Sequence, residues 1–225
     1  MNYWILVGVM ALLGWLVQSN LKRKFEKYSR EPVRLTGREV AEKMLHDHNI
    51  YDVRVVSTSG SLTDHYNPTN KTLNLSEDVY NVASVAAAAV AAHECGHAVQ
   101  HATAYAPLKL RSSLVPAVSF ASNMVQWVLL AGILLIQSFP QILLAGIGLF
   151  ALTTIFSIVT LPVEINASAR ALKWLDRSGL TSSAYQKDAE DALRAAAYTY
   201  VLAALSSVLT LLYYVSIYLG GRRRD

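Results

Sequence analysis

The sequence predicts a mainly α membrane protein, with about four transmembrane helices and a small α+β domain. Three observations predict it. Of 225 residues, 53% are hydrophobic and only 16% charged, whereas soluble domains carry about 25% charged residues. Mean hydropathy is +0.29. Four stretches reach or approach the roughly 20 mostly apolar residues that cross a bilayer. The net charge is +4, and the lysines and arginines cluster at the ends of these stretches. That is a pattern of membrane anchoring, and no nucleic-acid partner is expected.

The first apolar stretch covers residues 3–17 and extends through 18–21, giving an anchor over 1–20. Its positive charges follow the apolar run and no Ala-x-Ala-like site appears, which favours an uncleaved anchor over a signal peptide. The second and third stretches, about 115–137 and 142–162, are separated by Ser138, Phe139, Pro140 and Gln141. They predict a helical hairpin over 115–162. The fourth covers 195–219, with tyrosines near both ends, as suits the two membrane interfaces. A basic tail, 220–225, closes the chain.

Two polar parts lie between the spans. The larger, 21–114, opens with Lys22, Arg23, Lys24, Lys27 and Arg30. Thr36 and Glu39 make a capping box, and Val40, Ala41, Met44 and Leu45 give a helical stripe. Residues 52–56, 61–66 and 71–75 read as strands, the last two joined by the turn Asn67-Pro68-Thr69-Asn70. Ser76 is a candidate N-cap, and an alanine-rich helix is expected over 83–102. The smaller polar part, 163–194, reads as helical with a break near Ser178-Gly179. Cys95 is the single cysteine, which excludes an intramolecular disulfide.

The chemistry lies in His93-Glu94-Cys95-Gly96-His97. Residues four apart share a helix face, so both imidazoles can reach one metal ion. Glu94 is placed to act as base toward a water that zinc acidifies to a pKa of about 7. The small apolar flanks predict a buried helix, where two histidines and a glutamate are costly unless a metal or partners satisfy them.

A catalytic zinc takes three protein ligands plus water. His101 continues the four-residue series, but a straight helix carries it about 6 Å beyond His97, so it reads as a helix-end residue. Glu164 is the stronger candidate. The hairpin crosses the membrane twice, so Glu164 emerges on the side that holds His97. Its competing reading is a helix-start carboxylate favoured by the macrodipole. Glu190 and Asp191 lie in a charged stretch that reads as solvated.

Four stretches together resemble the YugP-type membrane zinc metallopeptidases. They are Leu62-Thr63-Asp64-His65-Tyr66, Leu73-Asn74-Leu75-Ser76, Ala91-Ala92-His93-Glu94-Cys95-Gly96-His97-Ala98, and Leu161-Pro162-Val163-Glu164 with Asn166-Ala167-Ser168. The resemblance covers nearly the whole chain and implies a zincin-like catalytic domain with a gluzincin-like site. In that site His93, His97 and Glu164 hold one zinc ion and Glu94 serves as general base and acid. A more distant similarity is to the HtpX and CAAX-prenyl endopeptidases. There an aspartate four residues after the third ligand orients a histidine; here that position is Ser168, and Asn166 is taken as the candidate partner. The resemblance also implies that strand 71–75 is an edge strand that binds extended peptide by strand addition. A purely structural hairpin is the other reading. His65 and Tyr66 are candidate oxyanion donors without an assigned role.

The expected function is a membrane-bound zinc endopeptidase acting on protein or peptide substrates, membrane proteins among them. The alternatives are a metal-binding chaperone or scaffold without hydrolytic activity, for which Glu94 would have no use, and a zinc transporter. A transporter would need ionisable residues inside the spans, and the hairpin interior has none. Six basic residues in 21–34 place that side in the cytoplasm. Four crossings then put Arg222, Arg223 and Arg224 outside, so either the first span dominates or the fourth does not fully cross. In both cases the catalytic parts share one side of the cell membrane, expected to be cytoplasmic.

Overall fold

The computed structural model describes residues 3–180 and 183–221. Helix α1 spans Tyr3–Tyr28 and α2 Gly37–Asp47; β1 is Arg54–Thr58, β2 His65–Asn67 and β3 Thr72–Ser76. Helices α3 (Glu77–Tyr80), α4 (Val85–Ala102), α5 (Ala106–Leu134), α6 (Pro140–Ser178) and α7 (Ser183–Gly221) follow. Helices α1, α5, α6 and α7 are each long and apolar enough to cross a membrane. The Arg222-Arg223-Arg224 tail lies outside the described residues.

The helices run further than the apolar stretches that announce them. Helix α1 continues through the basic residues to Tyr28, and α5 begins at Ala106 rather than near 115. The hairpin connection is 135–139, and Pro140 opens α6, where its missing N–H costs nothing. Pro116 and Pro162 lie inside helices without ending them. The chain is therefore still helical at Glu164, which sits in the interior of α6 and not at a helix start. Gly179, at φ +64°, follows the last residue of α6, a left-handed position that glycine fills without strain.

The chain divides into two compact units. Among the described residues, the first comprises 3–15, 109–161 and 200–221. Its core is Leu129, Leu143 and Ile147, with Val125, Phe150, Leu211 and Tyr214 packed around it. Gly132 lies so close to Leu143 that a Cβ would sit 2.5 Å from the Leu143 Cα. Small residues at such crossings bring helix backbones together where no hydrophobic effect can.

The second unit comprises residues 16–108 and 162–199. Its sheet has the order β1-β3-β2, with β1 parallel and β2 antiparallel to β3. This corrects one expectation: β3 is the central strand, paired on both sides, and cannot accept an added peptide. The strands also shift from their expected bounds, and residues 61–64 are not strand. Leu73 and Leu75 of β3 are fully buried and pack with Val40, Met44 and Val79 in one core. Ser76 precedes the short α3, not the zinc-motif helix, and its side chain makes no cap bond. The cap of α4 is Ser84, whose Oγ accepts from the Ala87 N–H. The capping box at Thr36 and Glu39 is present.

Helix α4 crosses the middle of this unit. Ala86, Ala87, Ala88, Ala89, Ala91 and Ala92 are all buried, because small side chains let neighbours approach from every face. Asp191 of α7, expected to be solvated, instead receives Lys24 Nζ at 2.6 Å and Tyr28 Oη at 2.7 Å. It ties the polar half of α1 to the start of α7. Trp174 Nε1 donates to Asp47 Oδ2 at 3.0 Å, joining α6 to α2.

Helix α4 passes tightly against α6 at Gly96, where a Cβ would lie 2.6 Å from the Ala167 carbonyl oxygen. A methyl group there must push backbone away, so Gly96→Ala is expected to destabilise the fold by about 1–3 kcal/mol, the usual range for overpacking. Gly148→Ala, with nothing within 4 Å, should leave stability unchanged. Thermal melts of the two detergent-solubilised variants check this; equal melting temperatures would contradict the tight crossing.

Candidate metal centre

Helix α4 carries His93 and His97 one turn apart, so both rings project from the same face. Helix α6 supplies Glu164 opposite them. Glu164 Oε2 lies 3.3 Å from His93 Nε2 and 3.5 Å from His97 Nε2. One ligand atom from each of the three residues falls within 4.8 Å of the others. The imidazole rings meet edge to face, with centroids 4.9 Å apart, so their Nε2 atoms converge without stacking. His97 and Glu164 are buried and His93 nearly so.

These residues fit a tetrahedral ion. Zinc bonds to nitrogen and oxygen of about 2.0–2.1 Å imply ligand-to-ligand separations of about 3.3–3.4 Å, close to the two observed. The donor set, two neutral imidazoles and one carboxylate, leaves a fourth position for water or substrate, as catalytic zinc sites do. The group as it stands would otherwise bury a carboxylate against two imidazoles, costly without a shared cation or proton. Burial pulls the His97 pKa down. Its hydrogen bond to Glu164, and the charges of Glu94 and Glu164, outweigh that and leave it above the ordinary value.

The far side of each imidazole is engaged. His93 Nδ1 lies 3.0 Å from Ser168 Oγ. His97 Nδ1 lies 3.1 Å from Gln100 Oε1. Gln100 is fully buried and its Nε2 donates to the Val163 carbonyl at 2.7 Å and to Asn166 Oδ1 at 3.1 Å. Of the two expected partners, Ser168 touches a histidine directly, whereas Asn166 acts only through Gln100. Gln100 carries no sequence signal of its own. A glutamine three residues after a histidine is ordinary on a helix, and its other two partners arrive from α6, more than sixty positions away.

Glu94 is buried, and its Oε2 accepts from the Tyr66 backbone N–H at 3.1 Å. That contact sets β2, the short strand at the sheet edge, beside the carboxylate. Asp64, just before β2, accepts from the Ser76 N–H at 2.7 Å and from Ser76 Oγ at 3.1 Å, pinning the start of β2 to the end of β3. Burial raises the Asp64 pKa, and the charge of Glu94 adds to the rise, against the two bonds from Ser76.

The other candidates fall outside the cluster. His101, in the last turn of α4, meets Tyr66 Oη through Nδ1 at 2.8 Å. His65 is exposed and bonds the Thr63 carbonyl at 2.8 Å. Glu190 pairs with Arg194 at 2.7 Å on the surface. Cys95 is buried with its Sγ 3.5 Å from the Ala41 carbonyl, and burial drives its thiol pKa well above the ordinary value. It is a packing residue and not a nucleophile.

The chain is 41% identical over 220 residues to the "Putative membrane protease YugP" of Bacillus subtilis (strain 168), covering 96% of each chain. No solved structure matches. The profile of a family described as "Putative neutral zinc metallopeptidase" matches residues 3–219, and the chain belongs to that family.

Proposed function

We propose that the protein is a membrane-bound zinc endopeptidase in which His93, His97 and Glu164 hold one zinc ion and Glu94 is the general base. The observation that carries the reading is the convergence of two imidazole Nε2 atoms on one Glu164 oxygen, at 3.3 and 3.5 Å. When bound there, zinc would supply a Lewis acid for the scissile carbonyl and lower the pKa of water at its open position.

The chain's own groups do the rest. Glu94 takes a proton from the attacking water as the water oxygen bonds to the carbonyl carbon. It then delivers that proton to the amide nitrogen as the C–N bond breaks, leaving a carboxyl and an amine. The Tyr66 N–H fixes one oxygen of Glu94 during both transfers. An extended peptide would align along β2, which among the described residues has a sheet partner on one side only. The active site faces the cytoplasm, a reading supported by the six basic residues that follow the first span.

Three outcomes are expected. Glu94→Gln should keep zinc but reduce cleavage of an unstructured protein substrate by at least about 100-fold, the lower range for losing an acid-base group. A variant that cleaves like the wild type would remove the mechanism. Glu164→Ala should lower the zinc content of purified protein well below that of Glu94→Gln. In intact cells, cysteines placed at Arg54 and Asp188 should both resist an impermeant thiol reagent. Labelling of only one would break the shared-side topology, and labelling of both would reverse its orientation.

A further inference from the structure

Gln100 receives no function from the zinc motif, yet it is fully buried and makes three side-chain hydrogen bonds. An amide can face either way, and its neighbours decide which. Arg170 and the Val163 carbonyl decide here. A guanidinium can only donate, and Arg170 Nε donates to Asn166 Oδ1 at 2.8 Å. Asn166 therefore presents its oxygen, not its NH2, toward Gln100. The Val163 carbonyl, also an acceptor only, lies 2.7 Å from the same end of Gln100. Both acceptors require the Gln100 NH2 group on that side, which turns Gln100 Oε1 toward His97. An oxygen facing His97 Nδ1 requires the proton on Nδ1, and the lone pair of Nε2 is then left for the metal.

We infer that Gln100 is the positioning residue that fixes the tautomer and ring orientation of His97, and that Arg170 holds it in its working orientation through Asn166. The inference rests on His97 being a zinc ligand. The two histidines differ in this respect. His93 faces the Ser168 hydroxyl, which can rotate to donate or accept, so nothing there dictates a tautomer. The Gln100 amide is instead fixed twice, directly by the Val163 carbonyl and, through Asn166, by the donor-only guanidinium of Arg170. The Gln100 bond to the Val163 carbonyl also fastens α4 to the residue before Glu164, so two ligands share one brace.

The test is the zinc dissociation constant of the detergent-solubilised full chain, measured by competition with a chelating dye. Gln100→Met keeps the side chain's length and removes its hydrogen bonds. Zinc binding should weaken roughly 10–100-fold, the usual cost of losing a partner behind a ligand. Arg170→Met should weaken it less. Asn166→Asp should bind as the wild type does, because a carboxylate only accepts and imposes the same orientation on Gln100. Adding Asn166→Asp to Arg170→Met should then restore wild-type affinity, a rescue that a purely structural role for Arg170 would not give. Wild-type affinity in a folded Gln100→Met, or no rescue in the double variant, overturns the inference while zinc binding by the wild type stands. If Gln100→Met does not fold, the rescue alone decides. A wild-type chain that binds no zinc at all overturns the endopeptidase reading and this inference together.

Discussion

The structure turns on bringing a carboxylate from one helix against two imidazoles on another, inside a region with little water. Glu164 Oε2 lies within 3.5 Å of both Nε2 atoms. Such a group is unfavourable unless a cation joins it, because desolvation penalises each polar atom separately. The rest of the polar unit makes the encounter possible. Gly96 removes the side chain that would hold α6 away. The alanines of α4 let other elements pack around the helix on every face. Helix α6 runs uninterrupted past Pro162, so Glu164 is held by a rigid rod and not by a loop.

The same design places groups of opposite demands next to one another. The ligand atoms must be free for a metal, while the opposite side of each ring must be occupied. Glu94 is buried yet held in place by the backbone N–H of Tyr66, which adds no charge, and this suits the role of base proposed for it. The sheet contributes little core of its own. Its main effect is to deliver β2 beside Glu94, with Asp64 and Ser76 locking the strand's register.

Much of this was legible in the sequence, for identifiable reasons. The His93-to-His97 spacing reports a shared helix face whatever the surroundings, and hydropathy reports spans because the bilayer imposes a length. Glu164 followed from counting crossings. Hydropathy marks only the apolar part of a helix, so the polar extensions of α1 and α5 are missed, as is helix continuing through Pro116 and Pro162, whereas the helical reading of 163–194 with a break near Ser178-Gly179 agrees with the end of α6 at Ser178. The central place of β3 was hidden because its pairing with β1 is parallel and crosses a connection with no hairpin signal. Gln100 is hidden for the same kind of reason: two of its three partners, Val163 and Asn166, are set by how α4 and α6 pack, which no local pattern encodes. Asp191, read as solvated, pairs with groups on a helix more than 160 positions earlier.

Zinc X-ray absorption spectroscopy of the purified full chain tests whether one zinc ion sits among His93, His97 and Glu164. One ion per chain is expected, bound to two imidazole nitrogens and carboxylate or water oxygens at about 2.0–2.1 Å. A spectrum showing sulfur at about 2.3 Å, or lacking the outer-ring scattering of two imidazoles, would contradict it.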